Sequence, residues 1–510
     1  MSTVNLQNAN VLVVGAGIMG AGIAQVAALA GHHVFLHDAR EGAAQEAKDQ
    51  LSVALHVLVS KGKLSHEVVE AALTRITPLS ALRYGKTATL VVEAIVENLD
   101  IKRKLFAELE ALLPEDAVLA TNTSSISVTA LANGLKRPER LVGMHFFNPV
   151  PLMKLVEVVS GLHTAPEVAE AIFSLAQAWG KTAVHAKSTP GFIVNRIARP
   201  YYAETLALLA EQAVSPPVAD ACLRSVGFRM GPCELMDLIG HDTNFAVTRS
   251  VYEANFYDKR YVPSGVQRDL VDGGLLGRKS GRGFYRYPQS EADKALPAAA
   301  PQSAVAALTV SGHCNLAQRL ADALTAQGVS VTRDTGTAAV ALHWGGDAAG
   351  RLLLTDGRTA LQQALQEGQP QTAVFDWSVT TTVAPGTPLA FAVAEGASEA
   401  FAQAAAGVLA SAGFHPLRMA DAPGLVVARS IAMLINEGAD AVQQGVCSTE
   451  GADAAMKLGV NYPAGPFEWL QRVGVGAVVQ LLDALDAHYR GERYRVSPWL
   501  RVRAGTRVAG

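Results

Sequence analysis

Cysteine is scarce: Cys222, Cys233, Cys314 and Cys447 stand far apart in 510 residues and form no CxxC pair. That spacing argues against a disulfide framework or a zinc site, so no metal is expected, and reduced thiols fit a cytosol. No run approaches the roughly 20 apolar residues of a membrane span. The polar opening MSTVNLQNAN lacks a basic stretch followed by an apolar core, so no signal peptide is read there. Charge of one sign is lacking too: the net value of -3 offers no general attraction to nucleic acid or anionic lipid, and any anionic ligand must be met by local groups. A soluble cytoplasmic protein without nucleic-acid or membrane partners is expected. What is plentiful is apolar side chain, 49% against 17% charged, so large cores can be buried. The length predicts three or four domains.

Val11 to Val14 is an aliphatic run that feeds directly into Gly15-Ala16-Gly17-Ile18-Met19-Gly20 and an Ala-rich helical pattern. GxGxxG gains meaning from this context, strand before and helix after. Gly15 permits the tight turn, Gly17 lets a pyrophosphate approach the backbone, and Gly20 lets helix and strand pack, with the helix N-terminus toward the phosphates. A second strand, His33 to Leu36, ends near Asp38, which can accept from ribose hydroxyls and repels a 2′-phosphate; NAD is favoured over NADP, with Arg40 nearby as a counter-indication. Ala43 to Thr74 reads as a helical hairpin broken at Gly62, with Lys48, Lys61 and Lys63 along it. Further strands at Leu90–Ala94 and Ala117–Ala120 end in Glu93, Glu97 and Lys102 and in Thr121-Asn122-Thr123-Ser124-Ser125, at the sheet edge where ligands bind in open α/β folds.

The stretch GMHFFNPVPLMKLVEV, Gly143 to Val158, places His145 and Glu157 on two short apolar runs separated by Asn148-Pro149 and Pro151. Strand, turn, strand is the expected reading. If the runs lie side by side, imidazole and carboxylate meet. A neutral histidine whose second nitrogen donates to a carboxylate is held in one tautomer and strengthened as a base. A lone histidine between apolar residues is otherwise an ordinary core residue.

Together the glycine fingerprint, VVEAIVENLDIKRKLF, TNTSS, HFFNPVPLMKLVEV and TPGFIVNR resemble the L-3-hydroxyacyl-CoA dehydrogenase family from about Asn8 to Tyr285. The resemblance implies a Rossmann domain with a doubly wound, mostly parallel sheet, then an all-α domain like that of 6-phosphogluconate dehydrogenase that also makes the family's dimer. It implies oxidation of a 3-hydroxyacyl-CoA with NAD, a reaction of fatty acid metabolism. By position it makes His145 the general base and Glu157 its orienting carboxylate, with Ser124 and Asn195 as the substrate-contacting polar pair. Glu97, Lys102, Ser124 and Asn148 match positions lining the NAD site, Lys279 matches a lysine reaching the cofactor, and Lys61 a CoA-contacting position. A noncatalytic NAD- or acyl-CoA-binding protein of the same fold is the rival reading.

Thr189-Pro190-Gly191 opens a helical pattern expected from Phe192 to Ala213, with Asn195 and Arg199 one turn apart on one face. NRIARPYYAE resembles the long family members that act on 3-hydroxyadipyl-CoA in phenylacetate breakdown, which suggests that Arg199 binds a second, terminal carboxylate; 3-hydroxybutyryl-CoA is the alternative substrate. Tyr287 to Ser303 has the Pro, Ala, Ser and Gln composition of a tether. Beyond it the chain repeats itself: DAPGLVVAR, Asp421 to Arg429, echoes TPGFIVNR, and Tyr462 to Glu468 echoes Met230 to Glu234. Ala428 stands in the place of Asn195, Cys314 and Ala317 replace the second and third glycines after Gly312, and no histidine lies between His343 and His415. The expected division is 1–188 NAD-binding, 189–286 helical, 287–303 linker, 304–420 degenerate Rossmann-like and 421–510 second helical. The second half is expected to be catalytically silent and to imitate the partner subunit of a homodimer.

Overall fold

The computed structural model describes residues 4–290, 295–301, 305–346, 349–380 and 384–506. Parts of the expected tether, 291–294 and 302–303, lie outside the described residues. The first half runs β1 (Val11–Val14), α1 (Ile18–Leu29), β2 (Val34–His37), α2 (Ala43–Ser60), α3 (His66–Arg75), β3 (Ile76–Leu79), β4 (Leu90–Glu93), α4 (Leu99–Leu112), β5 (Val118–Thr121), α5 (Val128–Ala132), β6 (Leu141–Phe146), β7 (Leu155–Ser160), α6 (Pro166–Ala178), β8 (Thr182–Lys187) and α7 (Val194–Ile197). The strands form one sheet in the order β3-β2-β1-β4-β5-β6-β7-β8. Every pairing is parallel except β6 with β7. Every residue of β1, β4 and β5 is buried, which is why these strands read as unbroken aliphatic runs rather than as alternating ones. Ile23, Val92, Met144, Phe146 and Ile172 belong to the core between sheet and helices.

The chain continues through α8 (Arg199–Ala210), α9 (Pro216–Ser225), α10 (Pro232–Ile239), α11 (His241–Ala254) and α12 (Gly265–Asp272). A second sheet follows, with β9 (Ala307–Ser311), α13 (Asn315–Ala326), β10 (Ser330–Asp334), β11 (Ala341–Trp344), β12 (Gly350–Leu354), α14 (Ala360–Glu367), β13 (Thr372–Phe375), β14 (Thr387–Val393), α15 (Glu399–Ser411) and β15 (Phe414–Arg418). Its order is β10-β9-β11-β12-β13-β14-β15. The opening β9-α13-β10 repeats β1-α1-β2, but β11 runs antiparallel to both β9 and β12. The last helices are α16 (Val427–Gln443), α17 (Thr449–Gly459), α18 (Pro466–Val473), α19 (Val475–Tyr489) and α20 (Pro498–Thr506).

The single helix expected from Phe192 to Ala213 is instead two, α7 and α8: the break at Ala198 before Pro200, which has no N–H to donate, separates Asn195 on α7 from Arg199 on α8. Left-handed Gly191 and Phe192 (φ 77° and 46°) turn the chain and delay the start to Val194. Leu425, after Gly424, repeats that turn in the second half (φ 50° and 70°). A non-glycine residue at positive φ carries no signature in composition, so the start was misplaced by two residues.

Two compact units result, Met1–Arg196 with Gln444–Asn461, and Ile197–Gln443 with Tyr462–Gly510. In the first, α17 packs on β7 and β8, and the Lys187 N–H donates to the Val446 carbonyl at 2.9 Å. In the second, α9 packs on β14 and α16 on α8. Each helical copy therefore sends one helix to the other copy's sheet.

Candidate active site

β6 and β7 pair antiparallel with His145 directly opposite Glu157. Both side chains are buried, and Nδ1 of His145 lies 2.6 Å from Oε2 of Glu157. The other carboxylate oxygen accepts from the backbone N–H groups of Ile193 (3.1 Å) and Val194 (3.0 Å). With Nδ1 donating to Oε2 of Glu157, the lone pair of a neutral ring lies on Nε2. The ring is fixed from its sides by Phe147 (4.5 Å between centroids) and Phe192 (5.8 Å).

The surroundings are pinned by Asn122, Glu97 and Lys102, which the sequence places at this sheet edge, and by Lys181, which it does not mark. The Asn122 side-chain oxygen accepts from the Phe146 N–H at 2.8 Å and fixes the end of β6. Lys181 donates to the carbonyls of Val150 (2.5 Å) and Met153 (2.8 Å), closing the turn between β6 and β7. Burial lowers the basicity of that ammonium. Glu97 accepts from the Thr123 hydroxyl (2.6 Å), the Ser124 N–H (3.1 Å) and both the N–H (3.2 Å) and hydroxyl (3.0 Å) of Ser125. It thereby shapes the loop that carries Ser124. Burial would raise the Glu97 carboxyl, but the Lys102 ammonium and the Thr123 and Ser125 hydroxyls hold it below the ordinary range. Lys102 is itself buried, bonded to Glu93 at 2.6 Å and Glu97 at 3.2 Å. These contacts come from segments distant in sequence and leave no local pattern.

Asn195 lies on α7, directly after the amides that hold Glu157. Arg196 donates to the Gln444 carbonyl oxygen at 2.8 Å. Burial and the nearby Glu157 charge push the Cys447 thiol up to about 12, which removes it as a nucleophile near neutral pH. Asn148 is exposed in the turn after β6. Lys61 is exposed at the C-cap of α2, and Lys48 is bonded to the Ile76 carbonyl at 2.7 Å. Lys279 and Arg199 belong to the second compact unit. There Lys279 is ion-paired with Asp242 at 2.5 Å, and Arg199 is buried, donates to the Thr248 hydroxyl at 3.2 Å and lies over the Tyr202 ring.

At the glycine turn the fit to a dinucleotide can be read from what a Cβ would meet. At Gly15 (φ 105°) it would lie 2.4 Å from the Ala94 carbonyl oxygen, and at Gly20 1.7 Å from that of Gly15. At Gly17 it would meet no described atom within 4 Å, so internal packing gives no reason for glycine there and a bound pyrophosphate does. Ile18 is 78% exposed at the helix start, while Met19 packs against the core. Asp38 accepts from the Ala16 N–H at 2.7 Å and borders a cavity of about 850 Å³ lined by apolar Val14, Leu79, Ile95 and Ile101 and by charged Glu41 and Lys104. Arg40, on the exposed rim, is paired with both oxygens of Glu46 (2.6 and 3.1 Å).

Residues 10–189 match the NAD-binding domain of 3-hydroxyacyl-CoA dehydrogenase. Its C-terminal domain matches twice, at 191–287 and 424–508, and the reduced Rossmann-fold domain of 3-hydroxybutyryl-CoA dehydrogenase matches 352–423. The chain is 42% identical over 502 residues, 98% of each chain, to the 3-hydroxyadipyl-CoA dehydrogenase of Escherichia coli K12. It is 42% identical over 276 residues to a probable 3-hydroxybutyryl-CoA dehydrogenase of Deinococcus radiodurans, covering 54% of this chain and 99% of that one. A crystal structure of 3-hydroxybutyryl-CoA dehydrogenase from Escherichia coli K12 superposes with a TM-score of 0.87 at 40% identity over 98% of this chain and 99% of that chain.

Proposed function

Because the chain belongs to the 3-hydroxyacyl-CoA dehydrogenase family, whose members oxidise a 3-hydroxyacyl-CoA with NAD, we propose that His145 is its general base and that its substrate is (3S)-3-hydroxyadipyl-CoA, giving 3-oxoadipyl-CoA. The 2.6 Å contact between His145 and Glu157 carries the first part. Nε2 takes the proton of the 3-hydroxyl, and Glu157 stabilises the imidazolium without accepting that proton itself. Ser124 and Asn195 hold the reacting oxygen so that small geometric errors do not reduce the rate. NAD, when bound, supplies the acceptor for the hydride from C3. Gly15, Gly17, Ile18, Met19, Gly20, Asp38 and Asn148 hold the dinucleotide, Lys279 reaches it, and Glu97 and Lys102 act on that site through the loop they brace.

The substrate assignment is supported by similarity over nearly the whole chain to an enzyme named for 3-hydroxyadipyl-CoA, and would place the reaction in phenylacetate breakdown in the cytosol. The far carboxylate of such a chain needs a charge-assisted partner, for which we assign Arg199. Its guanidinium lines a cavity of about 150 Å³ with Ala203, Leu206 and Gln267, and burial lowers its basicity, a cost that a carboxylate would offset. Lys61 is assigned to the CoA moiety. The domain limits given above belong to the same proposal, as does an internal repeat that takes the place of a partner subunit; the exchange of α17 and α9 between the copies supports it.

The alternative, a short acyl chain, is favoured by the name of the Escherichia coli structure, 3-hydroxybutyryl-CoA dehydrogenase. Steady-state NADH formation from both substrates decides between them. The wild type is expected to prefer 3-hydroxyadipyl-CoA, and Arg199→Leu to lose about tenfold or more in kcat/KM on it alone, the size of one hydrogen bond to a charged group. Equal losses on both substrates would discard Arg199, and a wild-type preference for the butyryl compound would discard the dicarboxylic substrate.

A further inference from the structure

Outside the active site, the hairpin of α2 and α3 brings together three side chains of metal-binding chemistry. The hairpin closes on an apolar seam of Leu55, Val69 and Leu73, with Leu58, Val59 and Leu64 beside it. Ser65 caps α3, its hydroxyl accepting from the Val68 N–H at 3.3 Å. On the solvent side, His56 projects from α2, while His66 and Glu70, four residues apart, share a face of α3. One donor atom from each of the three lies within 4.8 Å of the other two. The sequence offered no sign of this cluster, because its members come from two helices and only the fold joins them.

The contacts of His56 turn its Nε2 toward Glu70. Its Nδ1 lies 2.7 Å from the Ser52 carbonyl oxygen, which can only accept, so the ring proton sits on Nδ1. In the neutral ring that leaves Nε2 as a lone pair. Nε2 lies 3.0 Å from Oε1 of Glu70, a carboxylate oxygen that also has only lone pairs to offer. A proton on either partner satisfies this contact, and so does a metal ion, which would also engage the third donor of the cluster. A backbone carbonyl bonded to the far nitrogen is also the usual way a ligand histidine is oriented. His66 supplies a further nitrogen on the same side, its ring centroid 5.8 Å from that of His56.

We propose that His56, His66 and Glu70 form a surface site for a divalent cation of the zinc class. Two imidazoles and one carboxylate are a borderline-soft N₂O set that suits zinc, cobalt or nickel and is a poor match for calcium or magnesium. Three protein ligands leave a fourth position to water. Donor atoms in a tetrahedral zinc site stand roughly 3.3 Å apart, given bonds of about 2.0–2.1 Å, so small rotamer adjustments on an exposed surface close the site. The ion would tie α2 to α3 across the open end of the hairpin, and the stabilisation would grow with metal concentration by mass action.

The test is titration of the full-length protein with zinc by calorimetry, and with cobalt followed by its visible ligand-field bands. The expected result is one equivalent bound tightly, with four-coordinate cobalt bands. His66→Ala and Glu70→Gln should each weaken that equivalent by about tenfold or more, the loss of one metal ligand, while Lys63→Ala leaves it unchanged. Added zinc should also slow hydrogen exchange over residues 56–70 in the wild type and not in His66→Ala. Because these side chains are exposed, the variants should keep wild-type circular dichroism and dehydrogenase activity, so a loss of binding reports the site and not the fold. No tight equivalent, or one insensitive to both substitutions, would overturn the proposal and leave a protonated His56 paired with Glu70 as the reading of the contact.

Discussion

The two halves of this chain share a scaffold and differ in what is mounted on it. In both, a glycine at positive φ ends the first strand, Gly15 at 105° and Gly312 at 111°. In both, a Pro-Gly turn with a strained residue after it, Phe192 or Leu425, launches a helix over a buried acid. Glu157 receives the N–H groups of Ile193 and Val194. Asp376 receives those of Val426, Val427 and Ala428 at 2.7 to 2.9 Å. The strand positions differ: β13, which Asp376 follows, corresponds by sheet order to β6, the strand of His145, and not to β7. The acid under the helix is therefore structural in both halves. In the proposed mechanism it is His145 that turns the first one to chemistry. Where the second half dispensed with Asn195 and the open glycine, it kept every feature needed to fold.

Breaking the comparison begins with the polar group that only one half retains. Asn195→Ala, which makes the first half resemble Ala428, should lower kcat by about 10²-fold, as removal of one aimed hydrogen-bond donor does; steady-state NADH formation measures it. A loss of stability is expected at the matching arginines. Arg196 meets an amide, but Arg429 is fully buried against Glu204 at 2.7 Å, with Arg493 and the Tyr494 hydroxyl on the same carboxylate. Glu204→Ala should cost about 3–5 kcal/mol by denaturant unfolding, because it strands a buried cation. Burial would raise the Glu204 carboxyl, but Arg493 and Arg429 outweigh it and depress it. Its contribution is thus present above the ordinary carboxylate value of about 4 and is lost as pH falls through the lower folded value, so the gap between wild type and variant should narrow in acid.

The glycines sharpen the contrast further. Gly17→Ala should leave the melting temperature unchanged and raise the Kd for NAD by about tenfold or more, whereas Gly20→Ala should destabilise the fold, since its Cβ would collide with Gly15. The smallest effect expected is none: Cys314→Gly with Ala317→Gly should leave NAD binding at one per chain by calorimetry. Arg333 already bonds the Gly312 and Ala317 carbonyls there, at 2.8 Å each.

Much of the site could be read from local pattern. The glycine turn needs strand, turn and helix in sequence, and the strands carrying His145 and Glu157 are joined by a short proline-marked turn, so their pairing was within reach of a linear reading. What escaped it depends on distant partners. The resemblance assigns Glu97 and Lys102 to the NAD site, but that the Thr123–Ser125 loop folds onto Glu97 is seen only in the structure. Nothing local in sequence marks Lys181 as the donor to the Val150 and Met153 carbonyls. The packing of α17 on β7 joins segments about 290 residues apart, by difference of Thr449 and Leu155, and no periodicity encodes it.

The account rests on His145 as the proton acceptor, and the most direct measurement is kcat for His145→Gln alongside NAD affinity for the same variant. The expected result is a fall in kcat of about 10² to 10⁴-fold with the Kd for NAD unchanged. Turnover within about threefold of wild type, well inside the range expected of a general base, would contradict it, and the histidine would then be a buried core residue that happens to face an acid.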